Sequence, residues 1–121
     1  MNTTAVHTRS SHAPIASRHS TVRGPDGELA VTTWGDASLP VIVFVHGYPD
    51  NSSKWEDVAQ QLCDDFFVVA YDVRGAGHSF TPTGGAGAYK LDRLCADFTA
   101  VIDAVSPQRP VHLVAHDWGA I

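Results

Sequence analysis

Three apolar runs constrain this chain more than any other feature. They are VIVFV from Val41 to Val45, FFVVAYD from Phe66 to Asp72, and PVHLVA from Pro110 to Ala115. Their apolarity is continuous rather than alternating. A short run of that kind marks a strand covered on both faces, the habit of parallel sheets. Helical spacing fills the gaps between them. Trp55, Val58, Ala59, Leu62 and Cys63 fall on one helix face. Leu91, Leu94, Cys95, Phe98, Val101, Ile102 and Val105 mark a longer helix, stopped before Pro107. Asn51, Ser52 and Ser53 offer caps for the first helix, and Ser53 with Glu56 fits a capping box. Upstream, STVRGPDGELAVTTWG reads as two short strands around a Pro25-Asp26-Gly27 turn. The order is therefore strand, strand, strand, helix, strand, helix, strand. Right-handed crossovers make the last three strands parallel. The expected fold class is α/β: a mostly parallel sheet of about five strands with flanking helices.

The first 18 residues differ from the rest. They carry no acidic residue, little periodicity and many Ser, Thr and His. A secretory signal needs an apolar stretch of about 7–15 residues, which this segment lacks. Residues 1–18 are expected to be a disordered tail and 19–121 one structural unit. His7, His12 and His19 lack metal-site spacing and read as solvated. The formal net charge of −5 argues against a nucleic-acid partner. No apolar run approaches the roughly 18 residues of a membrane span. Cys63 and Cys95 form no metal-ligand spacing and read as small buried thiols, which fits a reducing cytoplasm. No metal or other cofactor is expected.

In an open α/β sheet the chemistry sits beyond the carboxyl ends of the strands. HGYPD (46–50), DVRGAGHS (72–79) and HDWG (116–119) all fall there. Ala115, Gly119 and Ala120 are small and flank Asp117, as a sharp strand-to-helix turn requires. Such a turn lifts the carboxylate out of the sheet and offers the Trp118 amide as an oxyanion donor. The Tyr48 amide, after Gly47, is the expected second donor. An Asp before Trp-Gly taken alone reads as a helix cap or a turn. The small neighbours, the apolar strand before it and the two companion motifs favour a nucleophile. RGAGHSF and GGAGAY complete neither GxGxxG nor a GK[ST] ending, so they read as turn-forming loop.

With these motifs in order, the chain resembles the α/β-hydrolase superfamily on its epoxide-hydrolase-like branch, over about residues 20–121. The resemblance rests on HGYP, DVRGAGHS and AHDWG. It implies Asp117 as a nucleophile attacking an epoxide carbon to give an alkyl-enzyme ester, later hydrolysed to a diol. It implies the backbone N–H groups of Tyr48 and Trp118 as the oxyanion hole, with His46, Gly47, Pro49 and Gly119 as motif support. The expected partner is a small-molecule epoxide or similar electrophile. A haloalkane dehalogenase is the alternative. Tyr48 stands where such enzymes commonly carry a halide-holding Asn, which favours the epoxide branch. SPQRPVHLVAHDWG is also similar to a group in which a hydrolase module precedes a short-chain dehydrogenase.

The family's cap, second acid and His base have no match in this chain, so an incomplete α/β-hydrolase fold with little activity of its own is expected. A non-catalytic truncated product is the rival of another class. An uncovered sheet edge would invite self-association or a complementing polypeptide. Of the histidines, His46 reads as an orienting residue of the HG turn and His78 as a loop stabiliser. His116 should point away along the turn, and His112 reads as buried and hydrogen-bonded. Asp72 and Arg74 read as a structural pair or loop network.

Overall fold

In the computed structural model, residues 15–47 and 51–116 are described. β1 (Arg18–Arg23) and β2 (Glu28–Trp34) form a hairpin closed by the Gly24 N–H donating to the Gly27 carbonyl at 2.9 Å. β3 (Val41–Val45), β4 (Phe67–Tyr71) and β5 (Val111–Ala115) follow. The sheet order is β1-β2-β4-β3-β5. β3 pairs in parallel with β4 on one side and β5 on the other, as the apolar runs require, while β2 joins β4 antiparallel. The sheet is thus mixed, with its parallel half at the end that carries the motifs.

The order decides where the helices go. β4 and β5 lie on opposite sides of β3, so two right-handed crossovers must place their helices on opposite faces. α1 (Glu56–Leu62), preceded by a 3-10 helix Ser52–Trp55, connects β3 to β4; α2 (Leu91–Val105) connects β4 to β5. Alternation along the strands splits the core accordingly. Val41, Val43, Val45, Phe67, Val69 and Tyr71 face α2, where Val101 is fully buried. Ile42, Phe44, Val68 and Ala70 face Trp55, Ala59 and Cys63. Each buried Val contributes about 1.5–3 kcal/mol relative to exposure. The continuous runs are explained by this two-sided cover: every residue of β3 and β4 is buried.

Several expectations need correction. β5 is half-open rather than buried: Leu113 and Val114 are exposed, because β5 is the outer strand of the sheet among the described residues. His112 is likewise exposed and meets the Phe66 ring edge-on instead of making a buried hydrogen bond. Cys95 and Leu91 are exposed on α2, and Val58 is exposed on α1; only Cys63 is a buried thiol. The Ser53–Glu56 capping box does not form. Asn51 caps instead, its side chain accepting the Ser53 N–H at 2.9 Å, and α1 starts at Glu56 after one 3-10 turn. Glu56 is taken by Trp34 Nε1 at 3.2 Å and Gln60 Nε2 at 2.9 Å.

Two backbone contacts lie just ahead of β1. Ile15 donates its N–H to Gln60 Oε1 at 2.9 Å and accepts from Gln60 Nε2 at 2.8 Å, and β1 starts at Arg18. The rest of the expected tail, 1–14, lies outside the described residues. No described helix is long and apolar enough to cross a membrane.

Candidate active site

Register brings the three motif segments together. Val45 pairs with Tyr71 in β4 and with Ala115 in β5, so the three parallel strands end level. His46, Asp72 and His116 therefore leave the sheet side by side, from positions 26 and 70 residues apart in sequence relative to His46. The ladder continues one step further on one side, where the His116 N–H donates to the Val45 carbonyl at 3.1 Å. Tyr48, Pro49, Asp117, Trp118 and Gly119, expected to carry or support the chemistry, lie outside the described residues.

His46 is held by its ring. It is 2% exposed. Its Nδ1 donates to the Gly47 carbonyl at 2.8 Å and its Nε2 accepts the Val73 N–H at 3.0 Å. A backbone N–H can only be accepted by an unprotonated ring nitrogen, so the hydrogen sits on Nδ1. Both nitrogens are thereby occupied, and His46 is not free to act as a base. His116 faces another way: its Nδ1 accepts from Lys54 Nζ at 3.1 Å on the surface. His78 is exposed and stabilises its loop through its backbone rather than its ring. Among the described residues no histidine ring is hydrogen-bonded to a carboxylate.

Asp72 and Arg74 belong to two networks and do not pair with each other, so of the two expected readings the loop network holds and the pair does not. Asp72 is buried and accepts the Ser52 N–H at 2.7 Å on Oδ1 and the His78 N–H at 3.0 Å on Oδ2. The Ser79 hydroxyl donates to the Asp72 carbonyl and accepts the Ala30 N–H at 2.8 Å. Gly77 closes this loop at φ +50°, and a side chain there would collide with the Asp72 carboxylate. Burial alone would raise the Asp72 pKa. The amide hydrogen bonds from His78 and Ser52 and the Ser52 side chain outweigh it, and the carboxyl sits below its ordinary value.

A pH dependence follows. The folded-state pKa of Asp72 is depressed below the unfolded value of about 3.9. Its contribution to stability is therefore complete above that value and is lost as pH falls through the folded pKa. Urea midpoints measured from neutral pH down to about pH 2 should fall more steeply for the parent than for Asp72→Asn. Parallel acid limbs would contradict this.

Arg74 is the centre of the second network. Its Nε and Nη2 donate to the two oxygens of Asp97 at 2.7 and 2.8 Å, and Nη1 donates to the Ala88 carbonyl at 2.8 Å. Asp26 of the hairpin turn stands 3.1 Å from Arg74 and 2.9 Å from Arg93. The Asp97 hydrogen bonds push the Arg74 pKa up. A cavity of about 460 Å³ opens beside this network under the Gly-rich loop, but neither His46, Ser52, Asp72 nor His116 lines it. Sequence reading missed Asp97 and Asp26. Asp97 carried a signal: it sits three residues after Leu94 and four before Val101, so a charge falls on the apolar stripe of α2.

Comparison with known proteins places this geometry. A family model for the alpha/beta hydrolase fold matches residues 40–121. The chain is 43% identical over 101 residues to "Probable oxidoreductase EphD" of Mycobacterium tuberculosis, covering 83% of this chain and 17% of that protein. It is 37% identical over 94 residues to "Epoxide hydrolase A" of the same organism, covering 77% of this chain and 29% of that one. The crystal structure of epoxide hydrolase VrEH1 from Vigna radiata superposes with a TM-score of 0.79 at 33% identity, over 86% of this chain and 33% of that chain. The chain therefore spans one third or less of these proteins.

Proposed function

The chain belongs to the alpha/beta hydrolase fold family, and we propose that it carries the attacking half of an epoxide-opening site with Asp117 as nucleophile. The observation that carries the reading is the level ending of β3 and β5. Asp117 follows two residues after Ala115 and Tyr48 three after Val45, at the edge where this fold does its chemistry. Similarity to epoxide hydrolases supports the substrate class.

In this mechanism a carboxylate oxygen of Asp117 forms a bond to one epoxide carbon. The ring C–O bond breaks, and the alkoxide takes a proton from an acid. Water, deprotonated by a base, then adds to the ester carbonyl, and the oxyanion rests on the Tyr48 and Trp118 amides. Collapse releases the diol with an oxygen from Asp117, which keeps the oxygen of water. His46 is occupied on both ring nitrogens, so it is not assigned the role of activating water.

The test is a single turnover of a styrene-oxide-type substrate in oxygen-18 water, using the native protein that carries this chain. The label should appear in the peptide containing Asp117 and not in the diol. Label in the diol alone rejects the covalent mechanism.

The 43% match to a probable oxidoreductase, spanning only 17% of it, supports a second reading. The chain would then be the hydrolase module of a longer polypeptide with a short-chain dehydrogenase part. An antibody against this chain should detect a much larger native protein with nicotinamide-dependent activity. A native product of this chain's size alone would dismiss that reading.

A further inference from the structure

We propose that the cavity under the Gly-rich loop is a binding site for a neutral, polyhydroxylated small molecule of the sugar class, recognised by Asp26, Arg93, Thr81 and Thr83. It is independent of the epoxide reading and uses none of the residues assigned to that chemistry. The cavity measures about 460 Å³, within the range of about 300–1,000 Å³ that small-molecule sites occupy. Its walls are fixed by contacts that need no ligand. The Phe80 N–H donates to the Glu28 carbonyl at 2.9 Å, and the Phe80 carbonyl accepts the Gly75 N–H at 2.8 Å. The Arg74 guanidinium lies 5.0 Å from the centroid of the Phe80 ring, and a side chain at Gly27 would collide with that ring. The loop itself is pinned at Ala88, whose carbonyl accepts from Arg74 Nη1 at 2.8 Å.

The charges of the lining select the ligand. Arg74 is buried, and its N–H groups are taken by Asp97, Asp26 and the carbonyls of Ala88 and Arg93. It gives the cavity shape and no free donor. At the rim Arg93 Nη1 donates to the two oxygens of Asp26 at 3.0 and 2.9 Å. Asp97 thus balances Arg74 and Asp26 balances Arg93. An anion entering the cavity would meet the Asp26 carboxylate, and a cation would meet Arg93. What stays open is a set of hydrogen-bonding positions without net charge. Arg93 Nε and Nη2 make no hydrogen bond among the described residues, and neither do the hydroxyls of Thr81 and Thr83. Asp26 Oδ1 accepts from Arg93 alone and keeps a lone pair. An open acceptor beside open donors matches a hydroxyl group, which donates to the one and accepts from the other. Several such positions around one cavity ask for several hydroxyls on one molecule. Phe80 and Pro82 supply apolar lining for its C–H groups.

Calorimetric titration of the native protein that carries this chain tests the assignment, with glucose, maltose and myo-inositol as separate probes. At least one should bind saturably with a Kd of about 10 mM or tighter. Thr83→Val keeps the shape of the side chain and removes one hydroxyl. Arg93→Met removes the rim donors and keeps most of the stem. Each should weaken that probe by about three- to tenfold, the effect of one lost hydrogen bond, with circular dichroism unchanged. Inorganic phosphate and tetramethylammonium are the charged comparators, and each should bind about tenfold more weakly than the best neutral probe. If Arg93→Met does not fold, Thr81→Val takes its place. The proposal is overturned if none of the three neutral probes saturates. It is also overturned if both variants bind as the parent does, because the probe then sits elsewhere, or if either ion binds more tightly than every neutral probe.

Discussion

Arg74→Met should destabilise the fold by about 3–5 kcal/mol, a large share of the roughly 5–15 kcal/mol that holds a domain together. The reason is what stays behind. Asp97 is 2% exposed in its side chain and Arg74 1%. Methionine fills part of the space but leaves the Asp97 carboxylate buried with both of its Arg74 hydrogen bonds gone. It also strips the Ala88 carbonyl of its donor and the Phe80 ring of a cation 5.0 Å from its centroid. Arg74→Met combined with Asp97→Leu should recover most of the loss, because neither member of this pair then leaves a buried charge. Urea unfolding of the parent, both single variants and the double variant closes the cycle. A single Arg74→Met variant within about 1 kcal/mol of the parent would mean that solvent reaches Asp97 and that the pair is not a buried one.

Asp117→Asn should lower epoxide turnover by on the order of 10³-fold or more in the native protein, with little change in KM. Asn keeps the shape of the side chain but offers no anionic oxygen to attack carbon. The fold should notice little, since even a carboxylate placed to interact with a helix dipole contributes only about 0.3–1 kcal/mol. The substitution therefore separates chemistry from structure: circular dichroism and urea midpoint unchanged, diol formation lost, and no substrate-mass adduct on the intact protein. A variant retaining more than a tenth of the parent rate would remove Asp117 from the mechanism.

The legible part of this protein is the part that local patterning reports. Continuous apolar runs identified β3, β4 and β5, and crossover handedness gave their parallel pairing. The burial of His46 was legible from its place directly after a buried strand, and both its ring nitrogens are hydrogen-bonded. What patterning misjudged were faces that depend on a neighbour. Helical spacing put Cys95 and Leu91 on the buried stripe of α2, but that helix covers the sheet nearer Val101, and its first turn stands in solvent. Likewise β5 has a buried strand's composition and an exposed strand's surroundings, since exposure is set by what packs beside a strand and not by its own residues.

Chain order and residue type determined the strand sequence, the parallel half-sheet and the three motif-bearing ends, because buried strands and amphipathic helices write their periods directly into the sequence. Only the tertiary structure decided that those ends are level, that Asp72 reaches across to Ser52, and that Arg74 is shared between Asp97 and Asp26. These contacts join residues 20, 23 and 48 positions apart. No local period encodes them. They exist because two crossovers on opposite faces bring loops together at one sheet edge, where a buried charge must find a partner or not be buried at all.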